Sequence, residues 1–394
     1  MATLLQIILE CVNGQLEQMN SNDGSMPSGH NGPYHDPETP VRNTGHWLIT
    51  FSHVFEWTDN EKYREAARRC ADYLLSKPVR PFGFSFHHRN GLKDHCNGLI
   101  GQAWTFEALA EATRFFNDQG YAHLAEEVFF QHPFNWKSGL WNRLEIDGKI
   151  LPYDTTFNHQ LWFAACASII KSKRSDEIMK HVVRFLDCLN DNLSILSNGL
   201  VYHPIEHLFE AEFARQFSFG MRTKKTVRNF AHTLKNFHFP EKLLREDEAR
   251  SKTRENLVYK SVGYHAFNTY AFAILKQQIP EHKFWTTDIF HKIVNYLQTD
   301  AYLQKLDDNK YGYPYNPPGF EVPYSLYILA DLNEDELIKL TSQWVNEQFY
   351  RCFNPKTAMM DRNTEDTVTH TARIYELLRM PKEILETAVV DSEE

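Results

Sequence analysis

The sequence predicts an all-α protein of the α/α toroid class, six or seven helical hairpins closed into a ring with a small β-hairpin at its rim. Two observations carry this expectation. A polar or aromatic cluster recurs about every fifty residues and each time opens an apolar, helix-like run, the mark of a repeated supersecondary unit. Runs that are apolar nearly all round also alternate with amphipathic ones, as buried inner helices alternating with half-exposed outer ones would.

The first unit opens at Arg42-Asn43-Thr44-Gly45-His46-Trp47, and Glu61–Leu75 follows as an outer helix with Tyr63, Ala66, Ala67, Cys70 and Leu74 on one face. Asp94-His95-Cys96-Asn97-Gly98 opens the second, whose run to Phe116 is apolar nearly all round. Between it and the third unit, Gly139–Arg143 and Lys149–Leu151 flank Asp147-Gly148, a hairpin turn pair. The third opens at Tyr153-Asp154-Thr155-Thr156-Phe157-Asn158-His159-Gln160, with Asp176–Leu189 as its outer helix. Later openings are Gly263–Asn268, Phe320–Tyr324 and Asp366–His370, alternating with outer helices Phe284–Leu297 and Glu334–Phe349. The gap around 205–260 leaves room for a further hairpin, Glu206–Phe217 with Thr226–Phe237. Its charged part, about 220–258, reads as an insertion, either a solvated helix or a flap. No Pro/Gly/Ser-rich linker divides the chain, so residues 1–394 are expected to form a single catalytic domain with a frayed acidic tail, Asp391–Glu394.

Composition narrows the function. A chain of 394 residues with 42% hydrophobic residues can bury a substantial core, and 14% aromatic residues suit the stacking of rings on sugar faces. A net charge of −9 without a basic stripe argues against nucleic acid as partner. No run approaches the ~18 apolar residues that span a bilayer. The six cysteines are scattered without disulfide or metal spacing. The expectation is therefore a cytoplasmic protein with a sugar or oligosaccharide as partner, no membrane, no cofactor and no metal. The oligomeric state stays open.

The chemistry-bearing candidates sit at inner-helix starts. Asp94 and Asp154 each stand at the mouth of an apolar helix, and two carboxylates facing one cavity can divide acid and base roles between them. Capping of a helix N-terminus is the competing reading for each. His95, Asn97 and Gln102 accompany Asp94, and Asn158 and His159 accompany Asp154, as side chains able to hydrogen-bond a sugar. Arg42, His46 and Trp47 form a third cluster, in which the guanidinium would bind an acidic sugar's carboxylate or else a structural carboxylate. His203 and His265 lie near later openings, and Tyr313 and Tyr315 lie on a Pro-stiffened loop that would make a stacking wall. Asp366, His370 and Arg373 share a helix face that reads as solvated, with local ion pairs.

The motif order resembles that of the unsaturated glucuronyl and rhamnogalacturonyl hydrolases, enzymes of α/α-toroid fold. The resemblance rests on Asp94, on Asp154-Thr155-Thr156-Phe157 sixty residues later, and on Gly199-Leu200-Val201-Tyr202-His203. It spans roughly residues 40–280 and implies Asp154 as general acid/base, Asp94 as its partner carboxylate and His203 as a substrate contact. The chain departs from that family at Tyr259–His265, where the family has a Trp- and Gly-rich stretch. On this reading the chain is a glycoside hydrolase for acidic or unsaturated uronic-acid oligosaccharides. The alternatives are a sugar epimerase or polysaccharide lyase working through His46, His159, His203 or His265, and a toroid that binds glycan without turning it over.

Overall fold

A computed structural model describes residues 2–212 and 240–390. The chain begins with β1 (Ala2–Thr3) and α1 (Leu4–Leu16). Two helix pairs follow, α2 (Val41–Thr58) with α3 (Glu61–Leu74) and α4 (Gly98–Phe116) with α5 (Gln119–Gln131). A small antiparallel sheet of β2 (Phe134–Asn135), β3 (Leu140–Leu144) and β4 (Ile150–Tyr153) precedes α6 (Phe157–Ser168) and its partner α7 (Ser175–Asp187). Then come α8 (Pro240–Gly263), α9 (His265–Gln278), α10 (Asp288–Tyr296), α11 (Asp300–Leu306), α12 (Pro318–Leu329) with α13 (Glu334–Cys352), α14 (Thr367–Ala372), α15 (Lys382–Thr387) and β5 (Val389–Val390).

The inner helices close a ring. α2 packs on α4, α4 on α6, α6 on α9 and α9 on α12. α12 packs on the 3-10 segment Arg373–Arg379 that continues α14, and this segment returns to α2. Among the described residues this makes six inner positions, the α/α toroid expected from the alternation. The ends of the chain complete the outer layer, for β1 pairs antiparallel with β5 (Ala2 with Val390) and α1 packs on α15. The rim hairpin turns at Gly148 (φ 88°) as expected and gains a third strand, β2. Of the charged segment, residues 220–239 lie outside the described residues, as do Thr226–Phe237 and Asp391–Glu394; residues 240–258 belong to α8.

Asn60, Asp118 and Asn333 each accept a first-turn N–H at outer helices, as Asp366 does at the inner α14, whereas Arg174 at the outer α7 does not. At α2, α4, α6, α9 and α12 the N-cap residues (Pro40, Asn97, Thr156, Tyr264, Pro317) make no such bond. At α4 the Gly98 and Leu99 amides go instead to Asp94 and Asp154, and the positive helix ends gather around one region.

Behind that region lies a buried charged layer, where a solvated face was expected. Asp366, His370 and Arg373 are all buried. Arg373 binds both Glu321 and Glu376, whose side chains have no solvent exposure. Burial pushes the Glu321 carboxyl up to about 7 and the Glu376 carboxyl up to about 8, Arg373 drawing both back. A single guanidinium between two buried carboxyls leaves a proton on the pair at neutral pH, whereas unfolded carboxyls near 4.5 have lost theirs. Folding stability contributed by this pair therefore falls as pH rises from about 4.5 to about 8. The buried histidines His88 and His370, lowered to about 3, act in the opposite direction but only below 6.5. Denaturant titration is expected to find the protein about 1–2 kcal/mol less stable at pH 8 than at pH 6.5; an equal or greater stability at pH 8 would contradict the assignment.

Candidate active site

The inner-helix starts surround a cavity of about 180 Å³, lined among others by Asn31, Tyr34, Arg42, Asn97, Trp104, Asn158, His159, His203, Lys260 and Tyr315. A second, more open cavity of about 460 Å³ adjoins it, lined by Asp94, Arg143, Tyr153, Asp154 and Glu212 among others. Arg89, Asn97, Thr156 and His159 line both, so the two spaces meet there.

At the junction Asp154 and His159 form a hydrogen-bonded pair, Oδ2 to Nδ1 at 2.7 Å. Asp154 does not cap its own helix. Its Oδ2 accepts the Leu99 N–H of α4 at 3.2 Å, and its Oδ1 accepts the Thr156 N–H. Burial pushes the Asp154 carboxyl up, but His159, the Arg143 charge and the Leu99 N–H outweigh it and leave it at about 2. It is a fixed anion, able to orient an imidazole and poorly suited to donate a proton. His159 spends Nδ1 on this contact and keeps a quarter of its side chain exposed toward the cavities. Gly98 makes the pair possible. It has φ +60°, and a Cβ there would lie 2.5 Å from Asp154 Oδ2 and 3.0 Å from His159 Nδ1.

His203 reaches the same cavity from the Gly199–His203 loop. That loop is pinned to the start of α6 by Phe157 N–H to the His203 carbonyl and by Ile205 N–H to the Thr155 carbonyl. The His203 N–H donates to Ser261 Oγ of α8. The Asp154-Thr155-Thr156-Phe157 and Gly-Leu-Val-Tyr-His segments are thus neighbours in space. Burial, with Lys260 and His159 nearby, holds the His203 ring well below the ordinary imidazole range, so it is neutral and free to accept a proton, though weakly basic until a ligand's anion offsets the Lys260 charge. Its Nδ1 is buried and has no partner among the described residues.

Asp94 stands beside the pair but is held between two cations, Arg89 and Arg143, and also accepts the Gly98 N–H at 3.1 Å. Asn158 lines the main cavity with both amide atoms buried and unpartnered among the described residues. Asn97, in the left-handed region at φ 55°, likewise presents an unpartnered Nδ2. Arg42 is buried over the Trp104 ring (3.8 Å) and already paired with Glu38 at 3.2 Å. Tyr315 donates to Asn31 Oδ1 at 2.7 Å and forms one wall.

Other candidates are placed elsewhere. His46 is buried behind the wall, stacked on Tyr375 with its centroid 4.3 Å away. Trp47 packs in the core against Phe51. Gln102 spends its amide on the backbone of Phe86 and Cys96, fixing the loop before α4. His95 lies near Glu145 and His87, outside both cavities. His265 uses both ring nitrogens on backbone, Nδ1 accepting from Val201 and Nε2 donating to the Ile293 carbonyl. Tyr313 is buried under the Arg351 guanidinium. Sequence reasoning missed Asn31, Tyr34, Tyr264 and Lys260. The Tyr-Lys and Gly-Tyr pairs flanking the His265 cluster were the available signal for the last two. Among the described residues no three His, Cys, Asp or Glu side chains gather closely enough to hold a metal ion.

The ring and its mouth define an α/α toroid of the kind found among carbohydrate-active enzymes. A ruminal-bacterium sugar epimerase superposes with a TM-score of 0.63 at 9% identity, over 95% of this chain and 97% of that one. A D-mannose isomerase gives 0.60 at 12% (95% and 97%), and the α-1,6-mannanase GH76A of Salegentibacter sp. HEL1_6 gives 0.56 at 12% (98% and 99%). These superpositions establish a common fold. No protein-family model matches the chain. The chain is 43% identical over 384 residues to archaeal glycosylation protein Q of Haloferax volcanii, covering 96% of this chain and 98% of that protein. It belongs to the family of that protein. Among the described residues no helix is long and apolar enough to cross a membrane.

Proposed function

We propose that the whole chain is one sugar-converting catalytic domain that moves protons on a single acidic sugar unit, in the manner of an epimerase or isomerase. The observation that carries this is His159, held by Asp154 where the two cavities meet, lining the small cavity together with a neutral His203. Proton transfer at carbon needs a base to take the proton and a group to return one. His203 fits the first role and His159, oriented by Asp154, the second. The inner space of about 180 Å³ suits one ring, being below the usual size of drug-sized ligand sites, and the adjoining space of about 460 Å³ is open to whatever that ring carries. Of the cations that line it, Arg42, Arg89 and Lys93 are paired with Glu38, Asp36 and Asp94, while Lys260 forms no ion pair among the described residues, which favours an acidic sugar such as a uronate. The fold likeness to an epimerase and an isomerase is compatible with this chemistry. The six cysteines are unpaired buried thiols, in keeping with a cytoplasmic site of action.

A hydrolase for uronic-acid oligosaccharides is the second reading, and one observation favours it. Asp94 and Asp154 accept from the consecutive amides of Gly98 and Leu99, so two carboxylates stand side by side where the cavities meet. The resemblance to the unsaturated glucuronyl hydrolases points the same way. Against it, both carboxylates are matched by cations or imidazole, and a general acid needs a raised pKa. Incubation with uronic-acid mono- and disaccharides, followed by mass spectrometry and NMR, separates the readings. A new stereoisomer or ketose of unchanged mass is expected. Shorter sugars with water added would establish the hydrolase, shorter sugars with a new double bond and no added water a lyase, and binding without any product a glycan-binding toroid.

A further inference from the structure

We infer that Lys260 is the residue that grips the anionic group of the substrate and sets the preference for charged over neutral sugars; this rests on the acidic-sugar reading above. The argument is one of charge balance. Every other cation of the main cavity already has a carboxylate. Arg42 has Glu38, Arg89 has Asp36 and Asp94, and Lys93 has Asp36 at 2.7 Å. Among the described residues Lys260 forms no ion pair, although it lines the cavity and is half-buried. A desolvated ammonium without a counter-charge is costly, and an oxyanion on the ligand would supply one.

Its position suits that role. Lys260 sits in the last turn of α8, with its ammonium 4.7 Å from the Tyr34 ring centroid and 5.3 Å from that of Tyr311. The rings hold the charge in place without neutralising it. The Tyr34 hydroxyl is in turn fixed on Tyr264 at 2.8 Å. Lys260 and His203 line the cavity together and lie close enough to interact, so an anion held by Lys260 sits beside the neutral imidazole. The chemistry is that of an oxyanion on a sugar, either the carboxylate of a uronate or the phosphate of a sugar phosphate.

Calorimetric titration with D-glucuronate, D-glucose 6-phosphate and D-glucose tests this on the wild-type chain, Lys260→Gln and Lys260→Arg. The wild type is expected to bind one of the two anionic sugars about tenfold or more tighter than glucose, a charge-assisted hydrogen bond being worth that much. The preferred anion identifies carboxylate or phosphate as the natural group. Lys260→Gln should lose the preference while keeping its affinity for glucose, and Lys260→Arg should restore it. The wild type provides a check that needs no variant. Burial, with Lys310 and Lys93, holds Lys260 down to about 8. The neighbouring His203 stays neutral and the Tyr34 and Tyr264 phenols stay protonated across this range, while Glu38 behind Arg42, pushed up to about 7 by burial, completes its ionisation at the low end of it. Affinity for the anionic sugar should therefore fall several-fold from pH 7 to pH 9 while that for glucose does not. An anion preference surviving in Lys260→Gln, or a wild type that binds glucose as well as the anions, would overturn the anchor and leave the proton-transfer reading standing. A wild type that binds none of the three would overturn both.

Discussion

His159→Ala is expected to lower turnover by about 10²–10⁴-fold, the usual worth of a positioned acid/base group, with the fold unchanged. The side chain is partly exposed at the start of α6, and its polar partner is Asp154, so truncation opens no core cavity. Asp154→Asn should cost less. Asn can still accept the Leu99 N–H, but it offers the imidazole a neutral partner and allows the wrong tautomer. Steady-state kinetics on the converted sugar, with circular dichroism as the check on folding, decide the matter. Equal losses in Asp154→Asn and Asp94→Asn with full activity in His159→Ala would hand the chemistry to the carboxylates.

Arg373→Met should destabilise the protein by about 3–5 kcal/mol at neutral pH, because it strands Glu321 and Glu376 without their cation in a dry interior. The guanidinium also donates to Asn316, which lines the cavity, so the loss should loosen the mouth as well as the ring. Adding Glu321→Gln and Glu376→Gln to this variant removes the charge stranded on the pair and should recover much of the loss. Urea unfolding of the wild type, the single variant and the triple variant reads this out. A single variant within about 1 kcal/mol of the wild type would contradict a buried ion cluster, since changes that small are usual at exposed sites.

The ring was legible because burial follows periodicity. α4 is apolar nearly all round and therefore inner, whereas α3 carries one stripe and is therefore outer. The small sheet was legible in its turn and illegible in β2, whose two residues are too short to show alternation. Which residue of each opening cluster faces the cavity could not be read from spacing. Successive helix residues point about 100° apart, so Tyr264 and Phe267 face the mouth while His265 between them turns to the backbone of Val201 and Ile293. Trp47, five residues beyond Arg42, lies too deep along α2 to reach the space. Asp94 and Asp154 were legible as a neighbouring pair. Their neutralisation was legible only in part: Arg89 and His159 each lie five residues from their carboxylate, whereas Arg143 comes from β3, which spacing does not place beside Asp94.

Solvent exchange tests the central assignment most directly. The converting reaction is run in D₂O on the acidic sugar that binds best, and the recovered sugars are read by NMR and mass spectrometry. Proton transfer through His203 and His159 predicts one carbon-bound deuterium in the product, at the position next to a carbonyl or carboxyl, with the chain length unchanged and the label absent in His159→Ala. A product shortened by one sugar unit and free of carbon-bound deuterium would contradict it.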